Sequence, residues 1–159
     1  MQYQLPWGNL PDRYRVGESF DETIILYRGD KIARISPDLG ILSTAVATGN
    51  TNMMYEFGDA CAARDEVSMS TMINSHGAVY VHRDWSPTPF VSATARRTFA
   101  EMFAQGDDEA VVEFEVPVNR VVAHPTSSHA GLQPYEILVI GGIAPEDIRA
   151  VHLKDHTNQ

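Results

Sequence analysis

The stretch Glu136-Ile137-Leu138-Val139-Ile140 closes on Gly141-Gly142. Four apolar residues in unbroken succession, stopped by two glycines, read as a buried strand. A carboxylate, Glu136, stands at its mouth, just after Gln133, Pro134 and Tyr135. An acid at the end of a strand is most often a solvated loop residue. Here it needs a partner elsewhere in the chain if it is to be anything more.

Four further segments carry strand signals. "ETIILYRGD" is β-branched and aromatic and ends at Gly29-Asp30. Alternation puts Ile24, Leu26 and Arg28 on one face. "AVVEFEVPV" is amphipathic, with Val112, Phe114 and Val116 inward and Glu113 and Glu115 outward. "IRAVHL" reads as a last strand, and "GAVYVHRDW" as a short one. Between Thr51 and His76, Ala, Met and Glu are common and turn residues few, which predicts one or two helices broken near Gly58. Met53, Met54 and Phe57 fall at helical spacing there. In "FVSATARRTFAEMFAQGDD" a strand ends at Phe90-Val91. Ser92 or Thr94 is placed to cap a following helix whose apolar face is Ala95, Phe99 and Met102 or Phe103. "NRVVAHPTSSHAGLQPY" reads as a polar loop.

The expected fold is mixed α+β, with helices mainly in the first half. Strands and helices do not alternate, which disfavours a doubly wound nucleotide-binding sheet. Residues 1–20, with scattered Pro and Gly, read as an arm or linker with Trp7 as its candidate anchor, and residues 21–159 as a single domain. No apolar run reaches the ~20 residues that span a bilayer, and the N-terminus lacks the pattern of a secretory signal. With a formal net charge of −9 and 12 scattered Lys and Arg, extended electrostatic binding to nucleic acid or an anionic membrane is disfavoured.

The usual reactive constellations are missing. Cys61 stands alone, so there is no internal disulfide, and it reads as a small buried hydrophobe. His124 with His129, or His152 with His156, lacks further ligands at motif spacing, so no metal is expected. There is no phosphate loop, and "GGIAPED" does not fit the dinucleotide glycine pattern. Three polar features remain, each at a strand end: Arg28, Ser92 with Thr94, and Glu136.

In that order they resemble the mono-ADP-ribosyltransferase toxin family, in the Arg–Ser–Glu class to which cholera toxin and the heat-labile enterotoxins belong. "LYRGD" (Leu26 to Asp30) is similar to the strand-ending arginine motif. Ser92-Ala93-Thr94 is similar to the Ser-Thr-Ser element. "YEILVIGGI" is similar to the glutamate strand with its Gly-Gly-Ile turn. The resemblance runs over about residues 22–153. It implies an ADP-ribosyltransferase-like split β-sandwich and NAD+ as co-substrate, without a metal. It implies Glu136, Ser92 and Arg28 as catalytic residues. Arg28, Gly29, Asp30, Ser92 and Thr94 would contact NAD+, and Gln133 and Tyr135 would form a substrate loop. Glu136 would accept a hydrogen bond from the ribose 2′-hydroxyl, and Ser92 would aim it. Two positions depart from the pattern: Ala93 replaces the central Thr, and Pro134 stands where many relatives carry the Glu or Gln that selects the acceptor.

Three activities stay open on these residues. The first is a secreted or injected toxin or effector that transfers ADP-ribose to a target, a protein rather than nucleic acid, in the recipient cell's cytoplasm. The second is an NAD+ glycohydrolase with water as acceptor. The third is a non-catalytic binding module that keeps the fold. The acidic balance fits a basic partner or a neutralising, immunity-type protein.

Overall fold

The computed structural model describes residues 9–17, 21–82, 87–124 and 136–154, with backbone alone over 77–82. Among the described residues the order is β1 (Thr23–Lys31), β2 (Ile41–Leu42), α1 (Thr44–Ala47), α2 (Asn52–Ala62), α3 (Glu66–His82), β3 (Phe90–Thr94), α4 (Arg97–Glu101), β4 (Glu109–Pro117), β5 (Val121–Ala123), β6 (Glu136–Ile140), β7 (Gly142–Ile143) and β8 (Ile148–Leu153). Six strands form one antiparallel sheet in the order β5-β6-β3-β1-β4-β8, and β2 pairs with β7 separately. The fold is mixed α+β, with α1 to α3 all preceding β3. No helix among the described residues is long and apolar enough to cross a membrane.

The unbroken run in β6 exists because both faces of that strand are covered. Leu138 and Ile140 join Phe57, Met69 and Ile73 of α2 and α3 on one side. Val139 joins Leu26, Val91, Phe114, Ile41 and Ile143 on the other. β4 alternates as its sequence requires: Val112, Phe114 and Val116 are buried, Glu113 and Glu115 only partly so. Truncating the fully buried Phe114 to Ala would cost about 3–5 kcal/mol. At the far end of β6, Gly141 and Gly142 have φ of +81° and +132°. A Cβ on Gly142 would press into the Ile41 carbonyl. The two glycines let the chain leave the large sheet and pair immediately with β2.

Several local expectations are corrected. The helical stretch breaks at Arg64 and not at Gly58, which lies inside α2. Arg64 takes φ +53°, its N–H bonds the Cys61 carbonyl at 3.1 Å, and the Asp65 N–H bonds that of Ala60 at 2.9 Å. This is a Schellman motif, here without glycine. Asp65 then starts α3 by accepting from the Ser68 backbone and hydroxyl at 3.2 and 2.7 Å. These bonds, the Ser68 hydroxyl foremost, hold its carboxyl below the ordinary range. Residues 77–82, expected in a strand, continue α3 to His82. The β-branched Val79 and Val81 carry strand propensity, and the established helix overrides it. Ser92 caps nothing, because it lies inside β3, and α4 has no side-chain N-cap. Met102 and Phe103 are exposed; Ala100 is what α4 buries. The loop after β4 contains a strand, β5, too short for a periodic signal. Leu10 and Tyr14 of the N-terminal twenty residues are buried in the helix-side core, whereas Trp7 is outside the described residues.

Candidate active site

β1 pairs with β4 at nine successive positions, from Thr23↔Pro117 to Lys31↔Glu109. With β3 it pairs at one, Tyr27↔Thr94. Beyond that pair the two strands part. Between them lies a cleft of about 400 Å³, lined by Tyr27 to Lys31, Ser92 to Thr94, Phe99, Phe103 and Glu136 among others.

Arg28 spans the parting. Its Nη1 donates to the Ser92 carbonyl at 2.8 Å, and its Nε to Asp30 Oδ2 at 2.9 Å. The first bond does for this gap what a ladder bond would do in an intact sheet. Asp30, 6% exposed, also accepts from the Lys31 N–H at 2.8 Å. Its role is to fix the guanidinium in the fork geometry that Arg allows and Lys does not. Gly29 is required by packing: a Cβ there would meet the Ala100 carbonyl of α4.

Ser92 and Thr94 sit on the helix-side face of β3, opposite Leu138 and Glu136 respectively. Thr94 accepts from the Arg96 N–H at 3.1 Å. The Ser92 hydroxyl donates to Glu136 Oε1 at 3.3 Å. Glu136, the first residue of β6, is partly buried. Burial raises its pKa to about 7, against the opposing pull of the Ser92 hydrogen bond and the Arg28 charge. A carboxylate at this position is poorly solvated and close to a fixed cation, so it responds strongly to charge developing in the cleft.

Sequence reasoning missed His76. It is 2% exposed, with Nε2 at 2.7 Å from the Ser92 hydroxyl and Nδ1 at 2.7 Å from Thr88 Oγ1. Its ring stands perpendicular to that of Phe90 at a centroid distance of 5.9 Å. Burial, followed by Arg28 and His124, lowers its pKa to about 4. It is therefore neutral at pH 7, with one N–H. When Glu136 is ionised and takes the single proton of Ser92, Nε2–H donates to Ser92 and Nδ1 faces the Thr88 hydroxyl, which also lies 3.2 Å from the Phe90 carbonyl. Thr88 is held by α1: its N–H bonds Thr44 Oγ1 at 2.8 Å and its carbonyl accepts from the Ala45 N–H at 3.0 Å. The result is a chain Thr88–His76–Ser92–Glu136 that ends at the carboxylate. No local pattern marks His76, which lies in α3 some 16 residues before Ser92.

Arg28, Gly29, Asp30, Ser92, Thr94 and Glu136 thus come together at one cleft. Gln133 and Tyr135 lie outside the described residues. Among the described residues no group of three or more His, Cys, Asp or Glu is arranged to hold a metal ion. Cys61 is buried, which raises its thiol pKa to about 12, and it is unsuited to nucleophilic work. In comparisons with known proteins, no family model, curated protein or solved structure matches the chain.

Proposed function

We propose that this protein is a mono-ADP-ribosyltransferase that cleaves NAD+ between nicotinamide and ribose and transfers the ADP-ribose to a macromolecule. The observation that carries the reading is the convergence of Arg28, Ser92 and Glu136. They are 64 and 44 residues apart in the chain, yet they meet through direct hydrogen bonds at the mouth of one cleft. The parting of β1 from β3 also fits the split β-sandwich of that family.

The chemistry follows from the charges. Departure of nicotinamide leaves positive charge on the ribose, as in the oxocarbenium-like transition states of glycoside cleavage. In its ionised form, which gains population as pH rises through about 7, the desolvated Glu136 stabilises that charge as it develops and accepts a hydrogen bond from the ribose 2′-hydroxyl. Ser92 fixes the carboxylate, and His76 fixes Ser92. Arg28 keeps the cleft open in one geometry and places a permanent cation next to where the NAD+ diphosphate would lie. The acceptor is a protein, and the enzyme acts as a secreted or injected effector in the cytoplasm of a recipient cell. A neutralising partner protein would complement its acidic surface.

Pro134, which stands where relatives carry the acceptor-selecting residue, favours a second reading, in which water is the acceptor and the protein is an NAD+ glycohydrolase. Labelled NAD+ incubated with the protein and a cell lysate separates the two. Label on protein, lost in a folded Glu136→Gln variant, supports transfer. Free ADP-ribose without labelled protein supports hydrolysis. Equal behaviour of wild type and Glu136→Gln rejects both, and absence of NAD+ binding by calorimetry would leave a non-catalytic module.

A further inference from the structure

Transfer of ADP-ribose requires a group to take the proton of the incoming nucleophile. The Ser92 hydroxyl is engaged between His76 and Glu136, and Pro134 has no side-chain base. The strand register points to another residue. β5 and β6 pair as Val121↔Val139, Val122↔Leu138 and Ala123↔Ile137. One step further, His124 stands opposite Glu136, and its N–H reaches the Glu136 carbonyl at 3.4 Å. Directly opposed residues of antiparallel strands send their side chains to the same face, with Cβ atoms about 4.5–5.5 Å apart. His124 also shares its face with Val122, which is buried with Leu138 in the helix-side core. That is the face occupied by Ser92 and His76.

β6 lies between β3 and β5, so His124 flanks Glu136 on the side away from β3, and it is not among the residues that line the cleft. A role in the reaction requires the acceptor to approach the ribose from the β5 side, opposite the departing nicotinamide.

We infer that His124 is the general base that deprotonates the acceptor attacking the ribose, an assignment that rests on the NAD+ reading of the site. In this step the bond from ribose C1′ to the nicotinamide nitrogen breaks, and its electron pair leaves with nicotinamide. A lone pair of the acceptor forms the new bond to C1′, and the acceptor's proton passes to the unprotonated imidazole nitrogen of His124. Burial holds His124 below the ordinary histidine range, with a smaller opposing backbone hydrogen bond, so the free base is present at neutral pH. Among the described residues, the charged and titratable groups on this side of the site include Glu136 on β6, His76 on α3 and, across the site, Arg28 on β1.

The test uses the full chain with NAD+, measuring nicotinamide release with water as acceptor and label transfer to lysate protein. His124→Asn and His124→Gln, checked for folding by circular dichroism, are expected to lose about 10²- to 10³-fold in kcat while binding NAD+ with unchanged Kd. Imidazole added to His124→Gly is expected to restore at least about tenfold of the loss. Folded His124 variants with wild-type kcat, alongside an inactive Glu136→Gln, would overturn this assignment and leave the reading of the site standing. Failure of imidazole to restore any activity would overturn it as well. Wild type and Glu136→Gln with equal rates would overturn the reading of the site itself, and the assignment with it.

Discussion

The His76 imidazole holds the Ser92 hydroxyl at 2.7 Å, so the side chain that fixes Glu136 is itself fixed from a helix on the far side of the core. Removing that support should loosen the carboxylate without touching the cleft wall. His76→Ala is expected to reduce kcat for NAD+ consumption by about 10²-fold, with little change in KM. Steady-state kinetics on the folded variant checks this. A raised KM with unchanged kcat would show that His76 serves binding instead.

Glu136 and His76 should give opposite pH dependences of stability. The folded Glu136 carboxyl titrates near 7, above its ordinary 4.5. It binds its proton more tightly when folded, so its contribution is full below about pH 4.5 and is lost as pH rises to about 7. His76 titrates near 4 when folded, below 6.5. Its contribution is full above pH 6.5 and is lost as pH falls to about 4. Each is on the order of 3 kcal/mol, and they offset each other between about pH 4.5 and 6.5. Glu136→Gln should therefore match wild type at pH 4.5 and exceed it by roughly 3 kcal/mol at pH 8. Urea unfolding at the two pH values measures the difference. A Gln variant less stable than wild type at pH 8 would contradict the burial argument.

The Arg28–Asp30 pair is buried, with side chains 13% and 5% exposed. Arg28→Ala leaves Asp30 without its main partner and should cost about 3–5 kcal/mol. Adding Asp30→Asn should recover part of that loss. A double-mutant cycle with a coupling energy near zero would show that the pair does not act as a unit. Arg28→Lys keeps the charge but cannot bond both Asp30 and the Ser92 carbonyl in the same geometry, so its NAD+ turnover should also fall.

Gly29→Ala should destabilise by about 1–3 kcal/mol, because its Cβ would run into the Ala100 carbonyl and the Phe103 backbone. Gly49, with φ +79° and open space around it, makes the control. Gly49→Ala should cost only the roughly 1 kcal/mol of a left-handed backbone. Thermal melts of both variants settle the order.

Strands with a strong period were legible from sequence. β1, β4, β6 and β8 fall where their patterns place them: β4 alternates between buried and half-buried residues, and β6 is a continuous apolar run covered on both faces. What could not be read was set by tertiary contact. β5 is three residues long and depends on pairing with β6. Residues 77–82 follow the helix before them against their own propensity. Arg64 ends α2 in a conformation that sequence patterns assign to glycine. In the candidate site, Arg28, Ser92 and Glu136 could be singled out because each is a polar residue expected at a strand end, in an order that resembles a known family. His76, Thr88 and His124 belong to no such pattern, and only the packing of α3, α1 and β5 brings them to the same carboxylate.

The single Tyr27↔Thr94 pair divides the sheet into two blocks, β5-β6-β3 and β1-β4-β8. Each block is stitched by several backbone pairs per strand. The seam between them is held by one. A force that opens or closes the sheet will act there, with Tyr27 and Thr94 as the pivot and the Arg28 side chain as the strut. The Arg28–Ser92 bond thereby sets the width of the cleft, and a ligand that engaged Arg28 would change the separation between Glu136 and β1.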